Sequence, residues 1–229
     1  MKVKLYDPFN KWYKRNGVIW LISDTHFGDS DCKLMDPNWP TPEEQVNIIN
    51  SYVGKNDTVI HLGDVGNPEY IKKIKGYKVL ITGNHDKGVS NYLKSYEVIV
   101  RDGKSIKLRH GNLEDYDYAV ELFHEYSLEC ESYDIELRDN KLFDEVYNGP
   151  LFINERILLS HEPIKLPFGF NIHGHTHNGL KYVSWANVFT DINICADVRN
   201  YIPVRLDKVI EEFKVTTIHR ATIDKAGNK

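Results

Sequence analysis

Asp24-Thr25-His26, Gly63-Asp64, Gly83-Asn84-His85-Asp86, Ser160-His161 and Gly174-His175-Thr176-His177 concentrate the metal-binding chemistry of this chain, and half of its ten histidines lie within them. Carboxylate, imidazole and amide side chains together make a mixed oxygen and nitrogen donor set. Such a set suits Mn, Fe, Zn or Ni better than an all-oxygen calcium site or an all-thiolate site would. Taken singly, each segment also has an ordinary reading. Gly-Asp is common turn chemistry, Asp-x-His after a strand is often a turn with a satisfied imidazole, and Gly-Asn-His-Asp reads equally as a loop or helix cap. Co-occurrence in one order, each at the end of an apolar run, separates the set from five unrelated turns.

Those apolar runs are the elements that must position the donors. Val18-Ile19-Trp20-Leu21-Ile22, Val59-Ile60-His61-Leu62, Val79-Leu80-Ile81, Ile157-Leu158-Leu159 and Phe170-Asn171-Ile172 each read as a strand that stops at or just before a donor segment. Strands that release Asp, His or Asn from their ends bring side chains distant in sequence onto one rim of a sheet. Helix signals fall between them. Thr41-Pro42-Glu43-Glu44 reads as an N-cap, a proline at the first helical position and a capping-box glutamate, followed by an apolar stripe of Val46, Ile49 and Val53. Asn67-Pro68 opens a second short helix carrying Ile71 and Ile74, which stops at Gly76. The alternation over residues 18–82 predicts a βαβαβ unit with parallel pairing. Further strands are expected at Tyr182-Val183-Ser184-Trp185 and Asp191-Ile192-Asn193-Ile194-Cys195, a short helix from Asp207 to Phe213, and a loosely held tail over 221–229.

A length of 229 residues fits one α/β domain, expected here over 1–220, and 41% hydrophobic with 27% charged residues is ordinary for a globular chain. The longest apolar run near the N-terminus, Val18 to Ile22, is too short for a signal-peptide core or a membrane span. Cys32, Cys130 and Cys195 are odd in number and widely spaced, which argues against a disulfide framework and for small buried apolar roles. The expected compartment is the cytoplasm, with no membrane partner. A net charge of −4 disfavours a nucleic-acid binder as a whole, although Lys72, Lys73, Lys75 and Lys78, and Arg101, Lys104, Lys107 and Arg109, form two short basic runs. Residues 113–146 stand apart, with 12 acidic and two basic residues, a net of −10 that leaves +6 for the remainder. Tyr116, Ala119, Val120, Phe123 and Tyr126 have helical spacing there, so an acidic helical insert is expected. It reads as a solvated face, or as a cap or docking surface.

The ordered set D-x-H, G-D, G-N-H-D, H and G-H-x-H resembles the calcineurin-like metallophosphoesterase superfamily, with every element present from Asp24 to His177. The resemblance implies two mixed β-sheets packed as a sandwich flanked by helices, with the site at one rim. It implies two divalent metal ions, Mn foremost. Carried over by motif, Asp24, His26 and His177 would hold the first ion and Asn84, His161 and His175 the second. Asp64 would bridge them through its two oxygens. A water bound by both ions would deprotonate near neutral pH and attack phosphorus in line. His85 would protonate or stabilise the leaving oxygen, with Asp86 orienting its ring or capping the loop. His61 and His173 read as packed against the site, and His110, His124 and His219 as unrelated to it.

The implied activity is hydrolysis of a phosphodiester or phosphomonoester of a small, nucleotide-like substrate. The compact size resembles small bacterial and phage-type phosphoesterases, and the arginine-bearing motif of the large protein phosphatases is absent after Asn84-His85. A metal-dependent nuclease is the alternative within the enzyme class; it would need a basic groove. A non-catalytic scaffold of the same fold is the alternative outside it, and such scaffolds lose ligands that this chain retains.

Overall fold

A computed structural model describes residues 4–86, 96–101, 106–113, 116–129, 134–139, 141–167, 169–179, 182–185 and 188–213. The chain divides into two compact units: Met1–Lys87 with Glu145–Lys229, and Gly88–Asp144.

The larger unit holds the strands expected from the sequence. β1 (Ile19–Ile22), β2 (Thr58–His61) and β3 (Tyr77–Ile81) pair in parallel in that order. The same sheet gains a parallel strand, Glu145–Tyr147, on β3 and an antiparallel one, Val204–Arg205, on β1. A second sheet has at its centre Phe170–His173, flanked in parallel by Ile157–Leu159 and Val188–Asn193. Leu151–Phe152 and Tyr182–Trp185 close its two edges antiparallel. Both sheets are therefore mixed. Their inner faces share one core: Leu21, Ile60 and Val79 from the first sheet cluster with Leu159, Ile172 and Ile192 from the second. Burying each such side chain contributes about 1.5–3 kcal/mol.

Helices cover this sandwich. The helix Pro42–Tyr52 carries the expected capping box: the Glu44 amide donates to Thr41 Oγ1 at 3.3 Å and the Thr41 amide to Glu44 Oε2 at 2.7 Å. It buries Val46 and Ile49. Asn67 caps Pro68–Lys73, which winds as a 3₁₀ helix. Residues 206–213 are helical and bury Leu206, Val209 and Ile210 in the shared core. No helix among the described residues is long and apolar enough to cross a membrane.

The smaller unit differs from the helical insert expected over 113–146. It is a three-stranded antiparallel sheet of Tyr96–Arg101 between Ile106–Leu113 and Asp134–Asp139, packed on one helix, Tyr116–Glu129. Only that helix follows the expected 3.6-residue spacing, burying Ala119 and Leu122 against Val98. Ile135 and Leu137 alternate with Asp134, Glu136 and Arg138, a strand period that the acidic composition obscures. Glu145-Val146 belongs to the first sheet of the larger unit. The tail over 221–229, together with Cys130 and His219, lies outside the described residues.

Candidate metal centre

Every donor segment leaves the C-terminal end of a parallel strand. Asp24 and His26 follow β1, Asp64 follows β2, and Asn84 to Asp86 follow β3. His161 follows Ile157–Leu159, and His175 and His177 follow Phe170–His173. The two sheets are joined at this rim. Ser23 bridges Cys195 in parallel, the Ala196 amide donates to Ser23 O at 2.9 Å, and the His175 amide donates to Asp24 Oδ2 at 2.9 Å.

The turns that present the donors are unusually tight. Asp24, His26, Asp64 and His175 all have positive φ, between 42° and 66°. Left-handed backbone at non-glycine residues costs on the order of 1–3 kcal/mol each and persists where the surroundings over-determine it. Here they do: the Asp24 amide donates to Gly63 O (2.9 Å), that of His26 to Asp64 O (3.1 Å) and that of His175 to Asp24 Oδ2 (2.9 Å). Two motif glycines are required by space rather than by turn propensity. A Cβ on Gly83 would lie 2.3 Å from Asp64 Oδ1, and one on Gly174 would lie 2.2 Å from Asp24 Oδ2.

Two donor triads result, Asp24–His26–His177 and Asp64–His161–His175, each with its ligand atoms within 4.8 Å of one another. His26 Nε2 and His177 Nε2 are 3.2 Å apart, and His161 Nε2 and His175 Nδ1 are 3.1 Å apart. Asn84 Oδ1 lies 2.8 Å from His161 Nε2. Asp64 stands between the triads, its Oδ2 at 3.7 Å from His26 Nε2 and 3.4 Å from His161 Nε2. One oxygen thus faces both sets, while Oδ1 accepts the His85 amide at 2.9 Å.

This donor set fits divalent cations. Asp24 is fully buried, and its Oδ1 has no hydrogen-bond partner although a buried carboxylate oxygen demands one. The nearest cationic candidate is His177 Nε2, at 3.5 Å. Facing imidazole nitrogens about 3 Å apart must share either a proton or a positive ion. His161 Nδ1 lies 2.9 Å from Leu62 O and donates to it, which leaves Nε2 as the nitrogen available to a cation.

The electrostatics follow from the same contacts. Burial raises the Asp64 carboxyl, but His161, the His85 amide and His26 outweigh it and bring it down to about 2. Burial lowers His161, but its contact with Asp64, the nearby Asp24 carboxylate and the Leu62 carbonyl together more than reverse this, so it stands above its ordinary value. His177 is raised chiefly by its contact with Asp197. His26 is lowered, because burial exceeds the pull of Asp64 and Asp24.

His85 sits exposed at the rim, its ring 5.7 Å from that of His26 and steeply inclined to it. Asp86 is buried, and its carboxylate accepts from the Asp64 amide (2.9 Å), the Val65 amide (3.0 Å) and the Gly83 amide (2.8 Å). That arrangement is the loop cap, not a hydrogen bond to the His85 ring. His61 is buried with Nε2 at 2.9 Å from Thr25 Oγ1, and His173 with Nδ1 at 2.8 Å from Gly174 O. His124 is exposed on the helix of the smaller unit.

Three residues at the centre carry no motif signal. Asp197 Oδ1 lies 3.2 Å from His177 Nδ1, the Cys195 thiol donates to Asp24 Oδ2 at 3.2 Å, and Trp39 packs its ring 5.8 Å from that of His177. Asp197 was discoverable: it follows a strand end, as the ligands do, but without a histidine beside it.

The calcineurin-like phosphoesterase superfamily domain matches residues 18–136, more than half of the chain, and the chain belongs to that family. The family makes metal-dependent hydrolysis of phosphoesters its reaction class. The matched span covers the first three donor segments; His161, His175 and His177 lie beyond it. None of the curated proteins matches the chain. Among solved structures, it is similar to a protein of unknown function from Aquifex aeolicus (20% identity, 86% of this chain and 99% of that one, TM-score 0.49). It is also similar to nuclease MPE of Pseudomonas putida (18% identity, 69% of this chain and 61% of that one, TM-score 0.37).

Proposed function

We propose that the protein is a phosphodiesterase that acts on a small, nucleotide-like substrate with two divalent metal ions, Mn by preference. The observation that carries this reading is the pair of facing triads with Asp64 Oδ2 between them. Asp24, His26 and His177 would hold one ion, and Asn84, His161 and His175 the other, with Asp64 shared. Bound ions supply Lewis acidity toward the phosphoryl group.

The chain's own residues do the rest. His85 is exposed beside the ligand His26 and gives a proton to the leaving oxygen, a general-acid role that an imidazole suits. Its main-chain amide meanwhile fixes Asp64 Oδ1, so one residue both orients the shared ligand and faces the substrate. Asp86 ties the turns of Asp64 and Gly83 together and holds that geometry.

Charge supports the diester. No lysine or arginine lies within the five donor segments. A monoester dianion would call for such a partner, whereas the single charge of a diester is met by the ions and His85. Metal-stripped protein reloaded with Mn should be assayed on a nitrophenyl diester, a nitrophenyl monoester, cyclic nucleotides, dinucleotides and single-stranded DNA. Faster turnover of diesters than of the monoester, with little digestion of long DNA, is expected. Dominant monoesterase activity, or digestion of DNA with a steep salt dependence, would overturn the substrate class.

A further inference from the structure

We propose that Asp197 is a positioning residue that fixes His177 as a metal ligand. Its two oxygens divide between the ring and the chain that carries it: Oδ1 lies 3.2 Å from His177 Nδ1, and Oδ2 accepts the Asn178 amide at 2.8 Å. With Nδ1–H given to this carboxylate, the His177 lone pair resides on Nε2, the nitrogen that faces His26 and Asp24. The opposite tautomer would put a proton there instead.

His177 needs such a hold more than the buried imidazoles of His26 and His161 do. Its side chain keeps 19% exposure, against 8% for His26 and 4% for His161, and it precedes Asn178, whose φ is +52°. His161 is already fixed by the Leu62 carbonyl inside the sheet. Asp197 is itself anchored: it opens the 3₁₀ turn Asp197–Arg199 directly after Ala196, whose amide donates to Ser23 O. Ser23 precedes Asp24. Both the carboxylate and the imidazole of the first triad are thereby referenced to one pair of backbone segments, Ser23-Asp24 and Cys195-Ala196. Removing a carboxylate that orients a ligating histidine typically costs about 10–100-fold in metal affinity.

This inference rests on the two-ion reading above, and the test separates the two. Metal-stripped full-length wild type, Asp197→Asn and Asp197→Ala are titrated with Mn by calorimetry. The His177 tautomer is read by nitrogen-15 correlation spectra of the metal-free proteins. Asp197→Asn keeps an acceptor for the Asn178 amide and so preserves the turn. Wild type should bind two ions with His177 protonated on Nδ1. Both variants should lose about 10–100-fold at one site only, the other staying unchanged, with His177 divided between tautomers. Wild type binding fewer than two ions would overturn the two-ion reading itself. Wild type binding two, with Asp197→Asn binding both at wild-type affinity and an unchanged tautomer, would overturn the role of Asp197 alone.

Discussion

The Asp86 carboxylate holds the main chain of Asp64: Oδ2 accepts the Asp64 amide at 2.9 Å, the same oxygen accepts the Gly83 amide at 2.8 Å, and Oδ1 accepts the Val65 amide at 3.0 Å. Asp64 in turn faces both histidine pairs. Through this contact the last residue of one donor segment sets the backbone of another, 22 positions earlier. Asp86→Ala leaves these amides without their acceptor in a buried place. At about 1–3 kcal/mol for an unsatisfied group, the metal-free variant should lose roughly 3 kcal/mol in urea unfolding, and Asp86→Asn less. His85→Ala, at an exposed ring, should stay within about 0.5 kcal/mol of wild type. Equal losses for Asp86→Ala and His85→Ala would contradict the clamp.

The glycines of the donor segments give a second test. Alanine at Gly83 would drive its methyl against Asp64 Oδ1 and the Asp64 amide nitrogen, and alanine at Gly174 would drive it against Asp24 Oδ2 and Ser23. Each should weaken Mn binding at least tenfold and cost about 1–3 kcal/mol. Gly54→Ala, whose methyl would meet the Asp57 carboxylate at an ordinary 3.4 Å, is the control and should leave Mn affinity unchanged. Wild-type affinity in both donor-segment variants would show that the carboxylates do not bind metal where they now stand.

Much of this was legible in the sequence. The order of β1, β2 and β3, their parallel pairing and the Thr41 capping box follow from local pattern, because apolar strands and capping residues report on themselves. The convergence of Asp24, Asp64 and His161 was legible only through motif order, since spacing does not reveal which strand ends meet. Asp197 and Cys195 escaped, as a lone aspartate after a strand has many ordinary roles and its contact with His177 spans 20 positions. The strand at Asp134–Asp139 escaped because an acidic composition speaks of solvent, whereas Ile135 and Leu137 speak of a core.

The pairing of Asp64 with His161 predicts a pH signature in metal-free protein. A depressed carboxyl stabilises the fold above its ordinary value of about 3.9, and this is lost as pH falls through about 2. A raised imidazole stabilises below its ordinary value of about 6.5, and this is lost as pH rises through the higher folded value. Both flanks report one interaction, worth roughly 2 kcal/mol. The stability difference between wild type and Asp64→Asn, measured with chelator present, should therefore peak between about pH 4 and 6 and shrink on either side. A difference independent of pH would refute the pairing.

His85→Asn preserves the main-chain amide that fixes Asp64 and removes only the ring. It should keep its metals and lose about 10²–10⁴-fold in rate, with the smaller loss on substrates whose leaving group needs no proton, such as nitrophenolate. If the variant turned over alkyl and nitrophenyl esters at wild-type rate, His85 would not be the acid.

Metal stoichiometry bears most directly on the centre as a whole. Elemental analysis of Mn-loaded protein after removal of unbound metal should give two ions per chain for wild type. It should give at most one for Asp64→Ala, because Asp64 Oδ2 faces His26 and His161 together. His124→Ala, on the helix of the smaller unit, should still give two. A wild-type value of one or fewer, or an Asp64→Ala value of two, would contradict a shared two-ion centre.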